Sequence, residues 1–232
     1  LAESTTRGTF AVVRERIVPL RGRRLVECFD RAHRSDQAAR FVGRHLTVPP
    51  GARVAEVGCG TGVLAFLAAQ LGAAAVWAGD VEERAVELCA RGARRNGLAE
   101  RVACHVAPFL DGVPGHAGLD VVVSVMAQRP SPTPFAMRYA GGHDGADLLR
   151  LIDAAAERLR TGGELWLYHH DIAAPVRVSA ALDAAFDWTH VATRRRAMSV
   201  ARYDAHAPGI AAHLERLARD GVGMAVVRST RL

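Results

Sequence analysis

Three glycines at alternate positions follow a carboxylate in Glu56-Val57-Gly58-Cys59-Gly60-Thr61-Gly62. The run comes after the strand-like Arg53-Val54-Ala55 and opens the apolar, helix-forming stretch Val63-Leu64-Ala65-Phe66-Leu67-Ala68. Glycine leaves no Cβ in the way of a ligand and permits a tight turn. The following helix start offers free N–H groups to a carboxylate or phosphate. An acid at a strand end, a glycine turn and a helix start together imply a nucleotide-like cofactor. A dinucleotide fingerprint needs its last glycine where this chain has Val63, and a phosphate loop needs a Gly-Lys pair in a chain that has no lysine. Both classes are disfavoured.

A second set of chemistry-bearing residues lies later. Tyr168-His169-His170-Asp171 offers two imidazoles, the side-chain type suited to a base near working pH, with an adjacent carboxylate that can orient one. Neighbours on a strand point to opposite faces, so at most one of the two histidines should face a site. A hydrogen-bonded or solvated loop histidine is the competing reading. Arg194-Arg195-Arg196, followed by Arg202, can hold a carboxylate or phosphate by bidentate contacts, or form a solvated face. His143-Asp144 suits a turn or lid better than proton transfer, and Tyr139 and Tyr203 are further hydrogen-bonding candidates.

The elements that must position these groups read as an alternation. A helix is predicted after Ser35, with Ala38, Ala39, Val42 and Leu46 on one face, ending before Pro49-Pro50. Strands are expected at 53–57, 75–79, 102–106, 119–125 and 164–169, with helices at 62–71, 82–95 and 145–160 between them. Fully apolar runs such as Val121-Val122-Val123 fit strands covered on both faces. Alternation of this kind predicts an α/β, doubly wound and mostly parallel sheet with right-handed crossovers. The tail adds a helix at 175–186, a strand at 188–193, a helix at 207–220 and a last strand at 224–227. Residues 1–30, with the apolar run from Phe10 to Val13 and the cluster Arg21, Arg23, Arg24, read as an appended segment.

Composition bounds the setting. The 232 residues suffice for one sizeable core, and no run approaches the ~20 apolar residues of a membrane span. No charged-then-apolar leader pattern opens the chain, and its start without methionine is read as trimming. Cys28, Cys59, Cys89 and Cys104 lack metal or redox spacing, so no metal is expected and reduced thiols in a cytoplasm are. The formal charge of +6 rests on arginine alone. It fits compositional bias or a basic face for RNA or an anionic substrate.

The E-x-G-x-G-x-G turn resembles that of the class I S-adenosylmethionine-dependent methyltransferases. That resemblance implies a Rossmann-like methyltransferase sheet of seven strands with an antiparallel last strand, and S-adenosylmethionine as cofactor. It implies that Glu56, Gly58, Cys59, Gly60, Thr61 and Gly62 pass the methionine part of the cofactor. Asp80, which closes Val76-Trp77-Ala78-Gly79, matches the acid that holds the ribose hydroxyls, and Val81 the apolar residue packed on adenine. The chain further resembles the release-factor glutamine methyltransferase subgroup. His33-Arg34-Ser35-Asp36-Gln37 matches a segment lying against the cofactor, which brings Arg34 into the expected site. The turn from Ala140 to Asp147 and Leu159-Arg160-Thr161-Gly162-Gly163-Glu164-Leu165 match its later motifs, so residues 34 to 170 are covered.

The departures limit the acceptor. The subgroup carries Asn-Pro-Pro-Tyr after its fourth strand, where this chain has Ser124-Val125-Met126-Ala127-Gln128-Arg129-Pro130. Val125 cannot accept a side-chain hydrogen bond, so the nitrogen clamp is absent. Pro108, in Ala107-Pro108-Phe109, stands where an acid would hold the adenine amine, leaving adenine to backbone groups near Phe109. The expected domains are an extension at 1–33 and a methyltransferase domain at 34–232 with a helical insertion near 203–221. The expected activity is methyl transfer to a small-molecule acceptor in bacterial specialised metabolism. Ser124 and Val125 line the cofactor and acceptor side, and His169, His170 and Asp171 are the candidate bases. Two alternatives stay open: N-methylation of protein or RNA, and non-methylating chemistry on the aminocarboxypropyl arm.

Overall fold

In the computed structural model, which describes residues 12–115, 118–128, 145–170, 175–196 and 222–232, the alternation becomes one sheet between two helical layers. The chain starts with β1 (Arg14–Leu20) and β2 (Arg23–Phe29), then α1 (Gln37–His45). Next come β3 (Arg53–Val57), α2 (Val63–Leu71), β4 (Ala75–Asp80), α3 (Glu83–Arg95) and β5 (Val102–Val106). β6 (Leu119–Ser124), α4 (Ala146–Arg158), β7 (Leu159–His170), α5 (Pro175–Ala185), β8 (Phe186–Arg196) and β9 (Val222–Arg231) follow. The seven-stranded sheet has the order β5-β4-β3-β6-β7-β9-β8. Only β9 runs antiparallel to its neighbours, β7 and β8. The strand order reverses beside β3, between β4 and β6, so their carboxyl ends form the crevice where such sheets bind ligands.

Helix α1 starts where Asp36 caps it, accepting from the N–H groups of Ala38 (2.8 Å) and Ala39 (3.1 Å). Helix α2 is apolar on every side, and all of Val63 to Ala69 is buried. A helix without a polar face needs cover all round, and the outer cover comes from the β1–β2 hairpin. Arg21 and Gly22, at φ 51° and 73°, form its two-residue turn. Val18, Leu20 and Leu25 point inward and join the core cluster of Leu64, Phe66 and Leu67. Asn96 ties the hairpin's outer edge to α3, accepting from Val26 N at 2.8 Å and donating to Val26 O at 2.7 Å.

The described part of the first 33 residues therefore adds two strands to the same core as the sheet. Strand β7 starts earlier than its sequence pattern suggests, at Leu159, with a register shift between Leu119 and Val121 on β6. On the opposite layer, α4 and α5 pack Leu148, Leu151, Ile152, Val178 and Leu182 against Val122, Leu165 and Leu167. The expected helices at 207–220 and 203–221 lie outside the described residues, as do His143-Asp144, Tyr139, Arg202 and Tyr203.

Candidate active site

The glycine turn leaves β3 and is held by its neighbour strand. Gly58 N and Cys59 N both donate to Gly79 O, at 2.9 and 3.0 Å, and Gly62 N closes the turn on Cys59 O at 2.8 Å. Its three glycines have positive φ, but they serve different ends. A Cβ on Gly58 would lie 3.3 Å from Met126 Cβ, and one on Gly62 would lie 2.4 Å from Cys89 Sγ. A Cβ on Gly60, at φ +52°, would meet nothing within 4 Å. Gly58 and Gly62 permit close packing; Gly60 faces open space in which a ligand can lie against bare backbone.

Two carboxylates frame that space. Glu56 is buried, and its Oε2 accepts from Ala65 N at 2.7 Å in the first turn of α2. Burial raises its pKa well above the ordinary carboxylate range; the Ala65 N–H opposes this and the nearby Asp80 carboxylate adds to it. Asp80 ends β4 and accepts from Gly60 N (2.8 Å) and Glu82 N (3.0 Å), so it anchors the turn sideways. Beside it Val81 is 45% exposed, an apolar side chain held at the rim of the crevice.

The next loop continues the wall. Ala107 N donates to Asp80 O at 3.0 Å, and Asp111 N donates to Pro108 O at 3.1 Å. Pro108 is exposed, while Phe109, at φ 48°, packs on the α4–α5 side of the core. A left-handed non-glycine residue costs about 1–2 kcal/mol, so this loop shape is imposed by its surroundings. On the far side, Ser124 is buried; its hydroxyl donates to Val57 O at 2.9 Å and accepts from Met126 N at 3.2 Å. Val125 is half-buried against the core.

Several groups that position the crevice carried no sequence signal of their own. Glu27 on β2 is fully buried and accepts from Arg16 Nε (2.6 Å), Thr61 Oγ1 (2.6 Å), Ser35 Oγ (3.0 Å) and Ser35 N. One carboxylate thus joins the hairpin, the segment before α1 and the glycine turn. Asp30 accepts from the backbone N–H groups of Ala32 and His33 and from Arg84 Nε. Burial would raise its pKa, but the His33 N–H, the Arg84 guanidinium, the His33 ring and the Ala32 N–H together bring it to about 2. His33 bridges onward from Asp30 to Glu82 Oε2 at 2.6 Å, beside Asp80. The segment expected to lie against the cofactor is thereby fixed at the crevice, with Arg34 itself exposed. Gln128 is buried at the end of the run after β6. Its amide donates to Tyr168 O and accepts from His170 N at 2.9 Å, as a strand backbone would.

The structure separates the two histidines. Tyr168 and His170 share a face, with ring centroids 5.3 Å apart, and Phe41 of α1 lies 6.5 Å from Tyr168. His169 is buried and, by strand alternation, points the other way. Asp171 lies outside the described residues. Three of the four cysteines scattered in sequence converge: Cys59 meets Cys89, and Cys89 and Cys104 bring their Sγ atoms to 3.2 Å beneath the turn. A bond with the Cys89 thiol favours the Cys59 thiolate, but burial and the Glu56, Asp80 and Cys104 charges outweigh it and raise Cys59 to about 11. Cys59 is therefore a packed thiol, not a nucleophile.

This geometry has close parallels. The family model described as "Methyltransferase small domain" matches residues 28–202. The ribosomal protein L11 methyltransferase of Pelotomaculum thermopropionicum is 44% identical over 80 residues, which are 34% of this chain and 26% of that protein. That of Oceanobacillus iheyensis is 34% identical over 122 residues, 52% of this chain and 32% of that protein. The chain thus spans about a quarter to a third of these curated relatives. Among solved structures, the T. thermophilus 16S rRNA N2 G1207 methyltransferase in complex with AdoMet and guanosine superposes with a TM-score of 0.61 at 17% identity, covering 96% of this chain and 51% of that one. The ribosomal protein L11 methylase from Lactobacillus delbrueckii subsp. bulgaricus gives a TM-score of 0.54 at 20% identity, covering 84% of this chain and 78% of that one. These structural likenesses carry the fold alone.

Proposed function

The chain belongs to the methyltransferase small domain family, and from that premise we propose that it is an S-adenosylmethionine-dependent methyltransferase whose acceptor is an amino nitrogen of a protein. The observation that carries the cofactor assignment is the open space over Gly60, framed by Asp80 and Val81. There the backbone of residues 58–62 receives the methionine part of the cofactor. Asp80 keeps lone pairs for two ribose hydroxyls, and Val81 with the 107–109 loop covers adenine. Glu56 places a carboxylate under the cationic end of the ligand. Arg34, Ser124 and Val125 are rim and wall residues in this reading.

The cofactor supplies a methyl group already activated by the sulfonium, so the protein's task is alignment and proton removal. An amine is protonated near neutral pH and needs a base before it can attack. His170 fills that role best, because it shares a face with Tyr168 at the carboxyl end of β7 and is pinned through its backbone by Gln128. His169 faces away and serves the packing of β7.

The protein acceptor draws on the sequence-similar relatives, which are named ribosomal protein L11 methyltransferases. It replaces the small-molecule acceptor expected from the missing clamp, which has no comparable support. RNA is the second reading, favoured by the arginine-only charge of +6. The test incubates the protein with S-adenosylmethionine and, separately, ribosomal protein L11, ribosomal RNA or buffer. Methylated L11 with stoichiometric S-adenosylhomocysteine is expected. Methylation confined to RNA would transfer the reading to RNA, and methylthioadenosine released in buffer would sink methyl transfer altogether.

A further inference from the structure

The arginine run at the end of β8 is not used by the cofactor crevice, yet one of its members is held in an unusual way. Strand alternation places Arg194 and Arg195 on opposite faces. Arg194 pairs in register with Met224 of β9, which pairs in turn with His170 of β7. Arg194 therefore lies in the same cross-sheet row as His170, two strand spacings or roughly 10 Å away. Its guanidinium lies over the Phe41 ring, 4.7 Å from the centroid, and Phe41 in turn meets Tyr168 edge-on. Among the described residues, the buried Nε of Arg194 meets no acceptor and no carboxylate lies within ion-pair distance of this side chain.

A buried guanidinium N–H without an acceptor is a cost that proteins rarely retain. The aromatic face fixes the plane of the cation and leaves its donor edge for another group. That edge is a fork of parallel N–H groups matched to a planar carboxylate. Binding along a nucleic-acid backbone draws instead on several cations tracking successive phosphates. Among the described residues, Arg194 is the cation locked on the Phe41 ring.

We propose that Arg194 is a specificity-determining residue that binds a carboxylate on the acceptor, in a corner built with Phe41 and Tyr168. The assignment rests on the methyltransferase reading, because it uses the position of this corner beside His170 and the 125–128 run. It gives the acceptor an acidic group at a set distance from the nitrogen to be methylated. It also explains the composition of the corner: Phe41 orients the cation, and Tyr168 packs behind Phe41.

The test uses the full chain saturated with S-adenosylhomocysteine and a ligand-detected NMR titration with N-acetyl-L-glutamate α-methyl ester, its neutral analogue N-acetyl-L-glutamine methyl ester, and a short oligouridylate. The glutamate derivative should bind, the amide should not, and Arg194→Gln should weaken binding at least tenfold. Arg194→Lys should recover part of it, and Arg195→Gln should leave it unchanged. S-adenosylhomocysteine affinity should be equal in all variants, which separates a binding role from misfolding. Unchanged glutamate binding in Arg194→Gln would overturn the proposal, as would a wild-type protein that binds S-adenosylhomocysteine but not glutamate. Oligouridylate binding that depends on Arg194, without glutamate binding, would replace the carboxylate by a phosphate. Failure of S-adenosylhomocysteine to bind the wild type would instead overturn the methyltransferase reading beneath it.

Discussion

Asp80 accepts from Gly60 N, and the proposed function gives the same carboxylate the ribose hydroxyls to hold. Asp80→Ala should therefore weaken S-adenosylhomocysteine binding by more than tenfold in calorimetry; equal affinity would remove Asp80 from the site. Glu56 has its pKa raised by burial, and a cationic ligand would pull it back down. Cofactor affinity should then rise with pH through the range in which the free protein's Glu56 titrates, with proton release, and Glu56→Gln should flatten that dependence. Asp30 runs the other way. Its folded pKa of about 2 lies below the ordinary 3.8, so its charge stabilises the fold above about pH 4 and that contribution is lost as pH falls through 2. Asp30→Asn should cost about 2 kcal/mol at neutral pH and little near pH 2, read from urea denaturation at both pH values. Glu56, the glycines and Asp80 stand out as candidates in the sequence because Glu56 and the glycines are neighbours and Asp80 ends the next strand of the alternation, 20 positions from Gly60. Glu27 and Gln128 were not, because each has partners that only the fold brings near, Thr61 34 positions and Tyr168 40 positions away.

The hairpin and the run after β6 carry the site at the scale of elements. The hairpin was hidden in an arginine-rich stretch whose turn, Arg21-Gly22, lacks the usual Asn-Gly signal. Its necessity could have been inferred from α2, a helix with no polar face to show to water. Glu27 makes the hairpin a support for the glycine turn. Glu27→Ala should destabilise the protein by about 3 kcal/mol, since it strands the Arg16, Ser35 and Thr61 donors. Glu27→Gln, which keeps an acceptor, should lose less. A wild-type denaturation midpoint in Glu27→Ala would show that this carboxylate does not hold the hairpin to the glycine turn. Gln128 replaces strand backbone between the run after β6 and β7. Gln128→Leu should slow methyl transfer while leaving S-adenosylhomocysteine affinity within twofold, because the amide positions the acceptor side alone.

At the scale of the molecule, the order β5-β4-β3-β6-β7-β9-β8 places a reversal at β3 and puts the glycine turn, Asp80, Ser124 and His170 at the carboxyl ends of β3, β4, β6 and β7. That architecture was readable from alternating apolar runs, because parallel strands covered on both faces leave that pattern. The corner proposed for the acceptor's carboxylate was not readable, since its side chains come from α1, β7 and β8 and meet only in the fold, at Phe41. The central claim is that bare backbone at Gly60 receives S-adenosylmethionine. Titration of S-adenosylhomocysteine into Gly60→Val, beside the wild type, tests it most directly. The strain of a side chain at φ +52°, about 1–2 kcal/mol, is read separately from the melting temperature. The added side chain meets no protein atom within reach of its Cβ, so a folded variant should bind no ligand while the wild type does. A folded Gly60→Val protein that binds S-adenosylhomocysteine as tightly as the wild type would contradict the account.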